Sequence, residues 1–155
     1  MKKIVWTAVA AGCLFIGSAS HAGAQAAAPD ALGSLTKAKQ VFEKSCGTCH
    51  GLERPLSKTN DKAGWEKTVE RMHFNGAEVN AEERALVVSY LLAKNTFEAR
   101  CSACHGIDRP LGKSKSAADW LKTVERMAAK KPGLLTAAET ADVAAYLSLT
   151  RPAQP

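Results

Sequence analysis

Hydrophobic residues along this chain recur at helical spacing, and the pattern occurs twice. Leu86, Val87, Tyr90 and Leu91 form one apolar stripe, and Val143, Tyr146 and Leu147 form another at the same period. Each stripe follows a start signal, Asn80-Ala81-Glu82-Glu83 in one case and Thr136-Ala137-Ala138-Glu139 in the other. In such a signal a capping side chain and a glutamate three residues later satisfy each other's backbone donors. Upstream of each stripe a second helix is predicted around Trp65 to Met72 and Trp120 to Met127, the latter opened by Ser116-Ala117-Ala118-Asp119. Glycine-containing turns separate these helices, at Gly76 and at Pro132-Gly133. No segment alternates with the period of a strand. The prediction is an all-α protein.

The two halves are copies of one unit. Phe42 to Met72 aligns with Phe97 to Met127 without a gap, at an offset of 55 and with 18 identities in 31 positions. Past the methionines the match resumes with one extra residue in the second copy, so that Tyr90-Leu91 corresponds to Tyr146-Leu147. The last helix of the first copy runs within a few residues into the first helix of the second. With no linker between them, two units of about 55 residues, each marginal alone, are expected to pack as one body. The expected boundaries are 36–92 for the first unit and 93–150 for the second, with a flexible segment at 25–35 and a tail at 151–155.

The N-terminus reads as an export signal. Lys2 and Lys3 precede an apolar run from Ile4 to Ile16, and small residues with A-x-A-type cleavage sites follow, so residues 1–24 are expected to be removed. The run is short for a membrane span, and an uncleaved anchor would carry flanking charge where small residues stand. A lipoprotein signal at Cys13 is disfavoured because Leu14, Phe15 and Ile16 continue the apolar run past it. The expected compartment is the periplasm, with no stable membrane insertion after cleavage. Without the signal the chain carries 19 basic and 15 acidic side chains, interleaved, which gives no electrostatic case for nucleic-acid binding.

Four of the five cysteines lie outside the signal, in Cys46-Gly47-Thr48-Cys49-His50 and Cys101-Ser102-Ala103-Cys104-His105. Cys-x-x-Cys-His is the pattern of c-type haem attachment. Two thiols on one helical turn reach the two vinyl groups of one porphyrin, and the adjacent histidine lies beneath the iron. A redox dithiol or half a zinc site are the competing readings of a lone Cys-x-x-Cys. The paired histidines and the 55-residue separation favour two haem c groups. The expected ligands are His50 and His105 on one side of each iron. On the other side stand Met72 and Met127, each 22 residues after its histidine, with core filling as their structural alternative. His73, replaced by Ala128 in the second copy, is an alternative axial ligand in the first. Pro55 and Pro110 are placed to hold a loop whose backbone carbonyl takes the histidine Nδ1 proton, and also read as ordinary loop prolines. Arg54, Arg109, Arg71 and Arg126 recur in register as propionate partners or solvated cations. Trp65 and Trp120 are expected at a porphyrin edge or between helices.

These motifs resemble class I cytochrome c units in tandem. The finer pattern, Cys-x-x-Cys-His-Gly followed by Arg-Pro-Leu and then by Lys-Thr-Val-Glu-Arg-Met, is similar to the dihaem-binding domain of the quinohaemoprotein amine dehydrogenase alpha subunit. The likeness covers about residues 36 to 150 and lacks that protein's other domains. It implies a dihaem electron carrier or relay between a periplasmic dehydrogenase and a respiratory acceptor, and not an enzyme. A haem enzyme or sensor with an open distal site, or a haem-stacking filament subunit, is the alternative. No spare cysteine remains for thiolate ligation of the kind seen in thiosulfate-oxidising cytochromes. The intact mass of the secreted chain is expected to exceed that of its polypeptide by two haems. A mass equal to the polypeptide alone removes the basis of this expectation.

Overall fold

The computed structural model describes residues 30–154, so the expected signal peptide lies outside the described residues. Among the described residues seven helices follow one another: α1 Ala31–Cys46, α2 Glu53–Leu56, α3 Lys62–Phe74, α4 Ala81–Cys101, α5 Asp108–Leu111, α6 Ala117–Lys130 and α7 Ala137–Thr150. The fold is all-α; the single bridge among the described residues joins Lys115 to Pro152. α2 and α5, and likewise α3 and α6, hold equivalent places in the two copies.

Local signals account for most of the boundaries. Both predicted capping boxes are complete, Asn80 with Glu83 and Thr136 with Glu139. At α6 the box is partial: Ser116 accepts from the Asp119 N–H, and the shorter Asp119 carboxylate reaches only the Ser116 hydroxyl. Gly76 and Gly133 turn the chain at φ values of +101° and +78°, where a Cβ is strained. α1 begins at Ala31, capped by Asp30, and buries Leu35; the flexible segment expected over 25–35 is therefore helical from residue 31. Pro55 and Pro110, read from sequence as loop residues, lie within the single turns α2 and α5. A proline fits there because first-turn N–H groups need no helical partner.

α4 organises the packing. Its 21 residues close the first copy and open the second, so the expected boundary at 92/93 falls inside a continuous helix. α1, α3 and α7 all pack against it, and α1 also touches α7, while α6 packs on α7. α4 is therefore buried on more than one face, through Val87, Val88, Tyr90, Leu91, Ala93 and Phe97.

Two cores result. The first joins Phe42 of α1, Trp65 of α3 and Leu91 of α4, and the second joins Phe97 of α4, Trp120 of α6 and Leu147 of α7. Four rings connect them. Phe42 lies 5.2 Å from Tyr90, Phe97 lies 5.7 Å from Tyr146, and the two tyrosines are 5.7 Å apart. Tilted contacts at such distances contribute about 0.5–1.5 kcal/mol each beyond the area they bury. Burial also pushes the Tyr90 hydroxyl up to about 12 and the Tyr146 hydroxyl upward.

The copies differ where α4 continues and α7 stops. After α7 the carbonyl of Arg151 is free of the helix and accepts from Trp120 Nε1 (2.8 Å) and from the Lys115 N–H (3.2 Å). Residues 151–152, expected to belong to a tail, are thereby docked. Asn95 holds the corresponding place in the first copy, inside α4, where its side chain takes over by donating to the Asn60 carbonyl at 2.8 Å. Lys94 beside it pairs with Glu98 at 2.6 Å and donates to the Lys58 carbonyl. Trp65 Nε1 and Asn95 Oδ1 are left buried without partners. Trp120→Phe is expected to cost about 1 kcal/mol more than Trp65→Phe, because only Trp120 donates a hydrogen bond that the substitution removes. Chemical denaturation of the two variants measures the difference.

Candidate haem-attachment sites

Each Cys-x-x-Cys-His segment begins on the last residue of a long helix. Cys46 ends α1 and Cys101 ends α4, and the chain then turns through the second cysteine to the histidine. Cys46 packs on the first core together with Leu52 and Leu56, and Cys101 on the second with Ile107 and Leu111. Cys49 and Cys104 are exposed, while His50 and His105 are half-buried. In both copies one thiol is thus set against apolar side chains and the other faces outward.

The histidines are oriented identically. His50 Nδ1 lies 3.0 Å from the Gly51 carbonyl and His105 Nδ1 lies 3.0 Å from the Gly106 carbonyl. A carbonyl only accepts, so Nδ1 carries a proton, and in the neutral ring the lone pair is then on Nε2. The same carbonyls also take the N–H of Arg54 and of Arg109, at 3.2 Å each, which ties the imidazole to the first turn of α2 or α5. The accepting carbonyl belongs to the glycine after the histidine, and Pro55 and Pro110 lie in the one-turn helices that follow.

The thiols are poorly suited to dithiol chemistry. A reactive Cys-x-x-Cys lowers the pKa of its first thiol, commonly at a helix N-terminus. Cys46 and Cys101 stand at helix C-termini, where the dipole disfavours a thiolate, and burial pushes both thiols up. Among the described residues no three His, Cys, Asp or Glu side chains converge as a metal-binding group.

The remaining expected site residues are spread along the same elements. Met72 and Met127 lie half-buried near the ends of α3 and α6. His73 is half-buried, with Nδ1 3.3 Å from the Ala77 carbonyl and its ring 5.8 Å from that of Phe74. Arg54 and Arg109 are exposed. Trp65 and Trp120 are each only 1% exposed and pack among the helices. Lys94, Asn95 and Arg151, which dock the segments ahead of α3 and α6, have no signature in the sequence beyond the register of Asn95 with Arg151.

The donor set fits haem c. Each copy offers two thiols three residues apart and an imidazole bonded through Nδ1 to a backbone carbonyl, with the first thiol beside half-buried apolar side chains. Two surface depressions among the described residues, of about 370 and 350 Å³, are lined by other residues. With all four thiols free, iodoacetamide near neutral pH is expected to label Cys49 and Cys104 about tenfold faster than Cys46 and Cys101, measured by peptide mass mapping. No protein-family model matches the chain, and neither a curated protein nor a solved structure matches it.

Proposed function

We propose that this chain is an exported dihaem c-type cytochrome that relays single electrons between a periplasmic dehydrogenase and a respiratory acceptor. The observation that carries the reading is the identical arrangement of the two Cys-x-x-Cys-His segments. In both, a core-facing thiol with a raised pKa, an exposed thiol and an imidazole held in the Nδ1–H tautomer occur in the same order. The raised pKa values and the helix C-terminal position of the first thiols argue against a dithiol oxidoreductase.

Bound haem c supplies a one-electron iron couple whose potential follows its axial ligands. The chain's own part is to hold and shield it. Cys46, Cys49, Cys101 and Cys104 anchor by thioether bonds. His50 and His105 present Nε2 as ligands, each oriented by the neighbouring glycine carbonyl. Met72 and Met127 would hold the iron through sulfur, and with both in place no open site for substrate would remain. That coordination would favour electron transfer over catalysis at the iron.

Pyridine haemochrome analysis of the secreted chain is expected to count two haems. Met72→Ala and Met127→Ala, made separately, are each expected to remove about half of the weak long-wavelength band of iron–methionine bonding and to lower one potential. If His73→Ala changes the spectrum and Met72→Ala does not, the first iron is bound by two histidines. If neither methionine variant alters the spectrum, the methionine assignment fails.

A further inference from the structure

Charge is divided unequally between two segments that fold alike. Residues 53–80, from α2 to the cap of α4, hold five basic and five acidic side chains. The equivalent residues 108–136 hold seven basic and three acidic. Outside these stretches, basic and acidic residues from position 25 onward are equal in number, so the second copy's segment carries the whole excess of positive charge.

The contrast comes from the residues around a shared pair of cations, since Lys67 and Arg71 on α3 are exposed and outside any ion pair among the described residues, as Lys122 and Arg126 are on α6. On α3, Lys62 pairs with Glu66 at 3.7 Å, and Glu70 pairs with Arg84 of α4 at 3.0 Å. In the second copy Leu121 stands in place of Glu66 and is 40% exposed, which removes a carboxylate beside Lys122, while Thr140 in place of Arg84 leaves Glu125 without a cross-helix partner. Lys122, Arg126 and Lys130 then follow at four-residue intervals along α6, all exposed and all outside any ion pair among the described residues. Lys115 joins them. Its Nζ donates to Thr123 Oγ1 at 2.7 Å, and with Lys122 and Arg126 it lines the depression of about 370 Å³. Like charges four residues apart oppose a helix unless an opposite charge meets them.

We propose that this face of α6 docks a protein partner through an acidic patch on that partner's surface. Complementary charge speeds encounter and fixes orientation, and the balanced first copy lacks the means to do this. A protein fits better than a polyphosphate because Asp119 also lines the depression and Glu125 lies between Lys122 and Arg126 in sequence. Only the identification of that partner as a redox protein rests on the function proposed above. On that reading the second copy is the one that exchanges electrons with the acidic partner.

The repeat supplies its own control, since Lys67 and Arg71 are the equivalents of Lys122 and Arg126. Binding of the full secreted chain to poly-L-glutamate is measured by calorimetry at low and high salt. Lys122→Glu with Arg126→Glu is expected to weaken binding about tenfold or more at low salt, and Lys67→Glu with Arg71→Glu less than about threefold. Should the reversals impair folding, Lys122→Gln with Arg126→Gln and its first-copy equivalent are expected to keep the same ranking. Equal losses from the two copies, or binding indifferent to salt, overturn the proposal. Duplex DNA or phosphatidylglycerol vesicles binding more tightly than poly-L-glutamate, with the same dependence on Lys122 and Arg126, also overturn it. Absence of haem would appear in the mass of the chain and leave this titration readable, so the two failures are distinguishable.

Discussion

The sharing of α4 between the two copies constrains everything else in this molecule. Because the helix runs unbroken from Ala81 to Cys101, it ends the first copy and carries the first cysteine of the second. Neither copy can move without moving the other's framework. The contact of α1 with both α4 and α7 closes the arrangement, and the four rings from Phe42 through Tyr90 and Tyr146 to Phe97 run across the junction. Phe42 and Phe97 each lie one helical turn before a motif cysteine, so the ring contacts that join the cores also bear on the helix ends where both motifs begin.

A shared helix also obliges the two copies to differ. A helix that stops frees carbonyls at its end, and a helix that continues uses them internally. The second copy exploits a free carbonyl at Arg151 to receive both Trp120 and the chain ahead of α6. In the first, Lys94 and Asn95 replace backbone with side chains, and the substitution is imperfect, since an indole donor and an amide acceptor stay unpartnered in the core. The same asymmetry reaches the surface. Arg84 on α4 pairs with Glu70 of α3, whereas Thr140 at the equivalent place on α7 leaves Glu125 of α6 without that cross-helix partner.

The two Cys-x-x-Cys-His segments keep one local geometry despite this asymmetry. In each, a helix end is followed by a turn and a histidine bonded to the carbonyl of the next residue, itself held by an N–H of a one-turn helix. The histidine's contacts span only a few residues, while the first cysteine packs on the adjoining core. Two geometrically equivalent segments therefore sit in electrostatically different halves.

The sequence by itself determined what short-range physics controls. Helix type came from apolar spacing, two starts came from capping boxes, and the duplication and both Cys-x-x-Cys-His segments were readable residue by residue. Tertiary structure decided what depends on contacts between distant segments. The turns α2 and α5 looked like loops because four residues are too few to show a period. The start of α1 at Ala31 was hidden in an alanine-rich stretch and is stabilised where Leu35 meets the core. The roles of Lys94, Asn95 and Arg151 were invisible, since each acts on a segment more than 30 residues away, and nothing in a local pattern of hydrophobic and polar residues records such a contact.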